Sequence, residues 1–197
     1  LTYSEQGKFM IRYAEATIES FPIAGSFTIS RGSKTSADVV VCTIREGGNA
    51  GRGECVPYRR YGETIESVMA EINAILPMVV EGMERSVLQS LMKPGAARNA
   101  VDCALWDLEA KKNGLTVMEA MGLSIARPLV TAYTISLGSP EEMAAQTAKW
   151  AHRKLLKVKV GTEDDESRIR AVRAAAPDSA IVIDANEGWN ADNLNHH

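Results

Sequence analysis

Hydrophobic and polar positions change rhythm once along this chain, near residue 127. Before that point KFMIRYAEATIESF (8–21), ADVVVCTIRE (37–46) and AGRGEC (50–55) have the alternation and β-branched content of strands. EGGNAG (46–51) lies between the last two as a hairpin turn, so an antiparallel meander is expected. Helical periodicity follows. TIESVMAEINAIL sets Ile65, Val68, Met69, Ile72 and Ile75 on one stripe. AARNAVDCALWDLEAKKNG does the same with Ala97, Ala100, Val101, Ala104, Leu105 and Leu108, and Gly114 supplies a C-cap. A sheet followed by helices predicts an α+β module over residues 1–126.

After residue 127 strands and helices alternate. LVTAYTIS, LLKVKV and AIVIDA read as strands, and PEEMAAQTAKWAHRK and DDESRIRAVRAAA as the helices between them. The last two strands are apolar on both faces, as in a parallel sheet covered by helices. Three such strands cannot cover themselves, and a β/α barrel needs about eight units. Residues 127–197 are therefore expected to open a barrel that is incomplete here, with NADNLNHH starting a third helix. The chain reads as the front portion of a longer protein; the alternative for His196 and His197 is the remnant of an affinity tag.

Composition narrows the class without changing this picture. With 45% hydrophobic residues, 24% charged residues and a net charge of -3, the 197 residues match an ordinary soluble domain and give no basic excess for nucleic acid. No stretch reaches the roughly 18 consecutive apolar residues of a membrane span, and LTYSEQGKFMIR lacks a signal-peptide core. A cytoplasmic location, with neither membrane nor nucleic acid as partner, is the expectation. Cys42, Cys55 and Cys103 are dispersed and read as packing residues. GGNAGRG precedes a strand, so it is a turn and not a phosphate-cradling loop.

The chemistry concentrates in LLKVKVG. Alternation puts Lys157 and Lys159 on one face of a strand flanked by helices, hence an inner strand. Edge strands carry lysine to discourage aggregation, whereas inward lysines near the C-terminal end of a barrel strand lie where barrels place active sites. Each cation disfavours protonation of its neighbour, which suits one of them to act as a base. In AIVIDANEGW, Asp184 closes an apolar run that does not tolerate a lone carboxylate, and Asn186 follows at the same parity. DAN by itself is a weak motif that reads as a helix N-cap. Lying one βα unit from the lysines, Asp184 also fits part of a divalent-metal site with oxygen ligands.

KVKVG followed by IVIDANEGW resembles the enolase superfamily in its muconate lactonizing enzyme subgroup. FPIAGSFTISRGSKTSADVVV, GRGECVPYRRYGETIESVMAEI, MKPGAARNAVDCALWDLEAKK and TAYTISLGSPEEM are similar to its dipeptide epimerases. The resemblance covers essentially the whole chain. It implies an α+β capping domain on a (β/α)₇β barrel, with Lys159 as acid/base, Lys157 as the neighbour that tunes it, and Asp184 as the first of three carboxylate ligands of Mg2+. Asn186 lines the site, and Thr134 is placed among the substrate-binding residues. The other metal carboxylates and the opposing lysine would come from later strands.

The resemblance also implies two cap loops, Pro22 to Lys34 and Val56 to Tyr61, that close over a dipeptide and read its side chain. Arg31 and Lys34 then suit the distal carboxylate of a glutamyl residue, Arg31 the better through its planar fork. Ile23 and Phe27 shield the site from water, and Tyr58 belongs to the same lining. Arg31 and Lys34 read equally as solvated turn residues beside Gly32, and Tyr58 and Tyr61 as packing. The implied reaction interconverts L-Ala-D-Glu and L-Ala-L-Glu by removing the α-proton of the C-terminal residue through an enediolate, in murein-peptide metabolism, and a homo-oligomer is compatible with it. Muconate cycloisomerase, o-succinylbenzoate synthase and N-acylamino acid racemase activities keep Lys159 and Asp184 and remain alternatives. So does a non-catalytic fragment.

Overall fold

The structure, a computed structural model, describes residues 2–3, 9–124 and 127–193. The expected boundary at 126/127 and the end of NADNLNHH, residues 194–197, touch positions outside the described residues. The chain forms two compact units, one of residues 1–21 and 38–126 and the other of residues 22–37 and 127–197.

In the first unit β1 (Thr2–Tyr3) pairs antiparallel with β2 (Phe9–Met10). β3 (Tyr13–Ile29), β4 (Gly32–Glu46) and β5 (Asn49–Cys55) lie in that order in one sheet. The β4–β5 register runs from Val40 opposite Cys55 to Glu46 opposite Asn49. Gly47 and Gly48 take the positive φ values that this tight turn demands. The expected meander is present.

Helix α1 (Ile65–Val80) begins at a reciprocal cap: the Ser67 N–H donates to Thr64 Oγ1, and the Thr64 N–H donates to Ser67 Oγ. The stripe on α3 (Ala96–Lys112) is buried at every predicted position. It packs on β5 so closely that a methyl group at Gly51 or Gly53 would come within 2.1 Å of the Ala104 carbonyl or 2.0 Å of the Ala100 carbonyl. Only glycine permits that approach. Val40, Cys42 and Ile44 of β4 complete the core with Val68, Ile72 and Val79.

Helices α2 (Arg85–Leu91) and α4 (Val117–Ala120) and the 3-10 turn Arg59–Tyr61 were not anticipated. They are too short to display a hydrophobic period. Of the three cysteines, Cys42 and Cys55 are buried, and burial pushes their thiols up to about 12 and about 11. Cys103 is exposed, contrary to its reading as a packing residue, because α3 turns it away from the core stripe.

The second unit holds β6 (Tyr133–Ile135), β7 (Leu155–Lys159) and β8 (Ala180–Asp184) as a parallel sheet in sequence order. Helices α5 (Pro140–Trp150) and α6 (Asp165–Ala175) alternate with them. Ile135, Leu156, Val158 and Val160 pack with Met143, Val172 and Ala176. The expectation that β8 is covered on both faces is corrected. It is an edge strand here, with Val182 49% and Ile183 39% exposed. Strand β6 is also shorter than LVTAYTIS; residues 129–132 are not in the ladder. Among the described residues no helix is long and apolar enough to cross a membrane.

The facing ends of β3 and β4, residues 22–37, belong to this second unit. They form a hairpin turning at Ser30 and Arg31 where a cap loop was expected. The Leu137 N–H donates to the Thr28 carbonyl at 3.1 Å, and Ser136 Oγ donates to the Ser26 carbonyl at 3.3 Å. These bonds dock the hairpin beside the segment that follows β6.

Candidate active site

Parallel register carries the alternation of β7 across the sheet. Thr134, Lys157 and Val182 are in line, as are Lys159 and Asp184, so these side chains share the face opposite the helix-packed core. Lys159 is the last residue of β7 and Asp184 the last of β8. Both therefore reach the C-terminal edge of the sheet.

The two lysines share a single acceptor. Lys157 Nζ lies 2.8 Å and Lys159 Nζ 2.9 Å from Asp184 Oδ2. Lys159 also donates to Asn186 Oδ1 at 2.8 Å, and its ammonium lies 5.5 Å from the centre of the Phe27 ring. Lys159 is 5% exposed, so its buried Nζ needs partners, and the Asp184 and Asn186 oxygens supply them. On Asp184 the hydrogen bond from Lys157 comes first. Burial opposes it, and Lys159 and the Asn186 N–H assist, so the carboxyl is held well below the usual carboxylate range.

Asp184 does not cap a helix. Its Oδ1 accepts the Asn186 N–H at 2.9 Å, closing a local turn in which Asn186 and Glu187 have φ values of 48° and 66°. The hairpin meets this turn. Ser30 Oγ donates to the Ala185 carbonyl at 3.2 Å, and Arg31 Nη1 pairs with Glu187 Oε2 at 2.9 Å.

The structure thus gathers Lys157, Lys159, Asp184, Asn186, Thr134, Phe27 and Arg31 into the second unit. Ile23 is half-buried in β3 of the same hairpin, and Lys34 is exposed in β4. Tyr58 lies in the first unit, just before the 3-10 turn, with its ring 5.5 Å from that of Tyr61 and its N–H donating to Glu63 at 3.1 Å. Both tyrosines are exposed. Sequence reasoning missed Glu187, Ser30, Asp165 and Trp189. Only the tryptophan after a turn in NEGW offered a signal, since DDESR reads as an ordinary acidic helix start.

The donor chemistry fits a hard cation in part. Asp184 brings one partly exposed carboxylate, but among the described residues no group of three or more His, Cys, Asp or Glu residues converges on one point.

Residues 12–122 match the family described as mandelate racemase / muconate lactonizing enzyme, N-terminal domain. A solved enolase family member from Agrobacterium tumefaciens, described as having homology to dipeptide epimerases and holding sodium and L-Ala-L-Glu, is 63% identical. It superposes with a TM-score of 0.89 over 94% of this chain and 57% of its own. The L-Ala-D/L-Glu epimerase of Escherichia coli K12 is 43% identical over 178 residues, 89% of this chain and 56% of the relative. A dipeptide epimerase from Cytophaga hutchinsonii, complexed with Mg and D-Ala-L-Val, is 28% identical with a TM-score of 0.81, over 94% of this chain and 54% of its own. The chain spans about half the length of the curated relatives it matches.

Proposed function

We propose that this chain, which belongs to the mandelate racemase / muconate lactonizing enzyme family, is part of a Mg2+-dependent dipeptide epimerase acting on L-Ala-D-Glu and L-Ala-L-Glu. On this reading residues 1–126 are its capping domain and residues 127–197 open its barrel. The observation that carries the reading is Lys159: a buried lysine at the C-terminal end of a parallel strand, beside a carboxylate and an amide oxygen. The relatives named above support the substrate class.

Lys159 takes the α-proton of the C-terminal residue on its Nζ, or returns it, from one face. Lys157 holds Asp184 ionised and oriented through their shared contact. Phe27 covers Lys159, and exclusion of water there strengthens each charge interaction. Arg31 binds the distal carboxylate of the glutamyl side chain in place of Glu187. Asp184 would be one ligand of the cation, which when bound neutralises charge building on the carboxylate next to the reacting carbon. Inversion also needs a second proton donor on the opposite face.

The assay uses a protein that carries this chain together with the further length its relatives have. It should exchange the α-proton of L-Ala-D-Glu for deuterium when Mg2+ is present. Lys159→Ala should slow that exchange by about 10²–10⁴-fold with dipeptide binding retained. A protein that binds Mg2+ and the dipeptide yet leaves the proton untouched would overturn the reading.

A further inference from the structure

Among the described residues, the non-glycine positions with positive φ fall in two turns: Asp164 in the turn after β7, and Asn186 and Glu187 in the turn after β8. Such backbone is disfavoured for residues with a side chain and persists where its surroundings over-determine it. One carboxylate links the two turns. Asp165 is completely buried, and its Oδ2 accepts the Gly161 N–H at 2.8 Å, the Thr162 N–H at 3.2 Å and the Trp189 indole N–H at 2.8 Å. Arg168 lies 3.5 Å from its Oδ1.

The two turns touch where this carboxylate ties them. A methyl group at Gly188 would come within 2.3 Å of the Gly161 carbonyl, and one at Gly161 within 2.4 Å of the Ala185 carbonyl. Trp189 follows Gly188 directly, so its indole bond to Asp165 fixes the end of the same turn whose Asn186 meets Lys159 at 2.8 Å.

We infer that Asp165 is a positioning residue which, through Trp189, clamps the turn carrying Asn186 against Lys159. It need not touch substrate. Its effect on catalysis rests on the epimerase reading, while the clamp itself is a property of this chain.

Two variants separate the clamp from mere support of α6. Asp165→Asn weakens every bond to the carboxylate. Trp189→Phe keeps an aromatic ring and removes only the indole donor, leaving Asp165 its bonds from Gly161 and Thr162. Amide hydrogen exchange on the chain is the readout. The Asn186 N–H, bonded to Asp184, and the Gly188 N–H, bonded to the Ala185 carbonyl, should exchange at least about tenfold faster in both variants, with the β6–β7 ladder unchanged. If Trp189→Phe leaves those two amides as in the parent, Asp165 only supports its own loop and helix, and the inference is wrong.

In the longer, active protein Trp189→Phe should lower kcat by about tenfold with KM within about twofold, since misplacement of a group that orients the base costs the chemical step. An unchanged kcat refutes the catalytic consequence. A parent protein without α-proton exchange refutes the epimerase reading instead, and leaves the clamp to be decided by the amides.

Discussion

Lys157 and Lys159 donate to the same oxygen of Asp184 from different surroundings, their side chains 39% and 6% exposed. Alternation makes their common face readable from LLKVKV, and the apolar run before Asp184 marks a carboxylate in need of a cation. Burial of only one of the pair is not readable, because it depends on Phe27, more than a hundred positions away. Arg31 illustrates the same limit. Its place in a turn is legible from Gly32, but its partner Glu187 lies 156 positions on. If Arg31 reads a distal carboxylate, Arg31→Ala should raise KM for L-Ala-Glu by about 10–100-fold, the worth of one hydrogen bond to a charged group. An apolar dipeptide should be affected less than about threefold. Steady-state exchange with both dipeptides checks this, and equal losses would remove Arg31 from the specificity determinants.

Elements are tied to one another by Glu46, whose side chain is fully buried at the end of β4. Arg12 lies 2.6 Å from it, and Lys112 at the end of α3 bonds its other oxygen. Arg12 also donates to the Val79 and Met83 carbonyls at 3.1 and 3.2 Å, joining the end of α1 to the same ion cluster. Burial pushes the Glu46 carboxyl up, but hydrogen bonds from Lys112 and Arg12 outweigh it and hold it below its ordinary value. A carboxyl depressed in the folded state contributes stability that is present above its unfolded value of about 4.3 and is lost as pH falls through the folded value. Glu46→Gln should therefore cost about 3 kcal/mol in urea unfolding at pH 7, because two cations lose their counter-charge. The gap from the parent should narrow as pH drops below about 4.3. A gap that is absent at pH 7, or constant down to acid pH, would contradict this. The long helices flanking the cluster were legible from their stripes. Its members were not, since residues 12, 46 and 112 share no periodic pattern.

On the scale of the whole molecule, the change of rhythm near residue 127 anticipates the alternation of β6, α5, β7, α6 and β8. It does not reveal that residues 22–37 form one compact unit with that sheet, because alternation along β3 and β4 specifies pairing and not what the far end of a hairpin rests on. Nor does it show that β8 is open. Ile181 and Ile183, with Ile169, Arg170 and Arg173 of α6, line a groove of about 800 Å³, whereas strands of parallel sheets are ordinarily buried on both faces. Asp184 is the single carboxylate proposed here for a cation, and it already meets both Lys157 and Lys159. Mg2+ dehydrates reluctantly and gains little from one such ligand. The 197-residue chain alone should therefore show a Tm shift below about 1 °C at millimolar Mg2+, while a protein of the relatives' length should be stabilised by about 2.7 kcal/mol, several degrees, once Mg2+ reaches about a hundred times its Kd. Thermal unfolding of both proteins with and without Mg2+ makes the comparison. Equal, large shifts would mean that this chain holds the cation by itself, and Asp184 would then need partners other than those proposed.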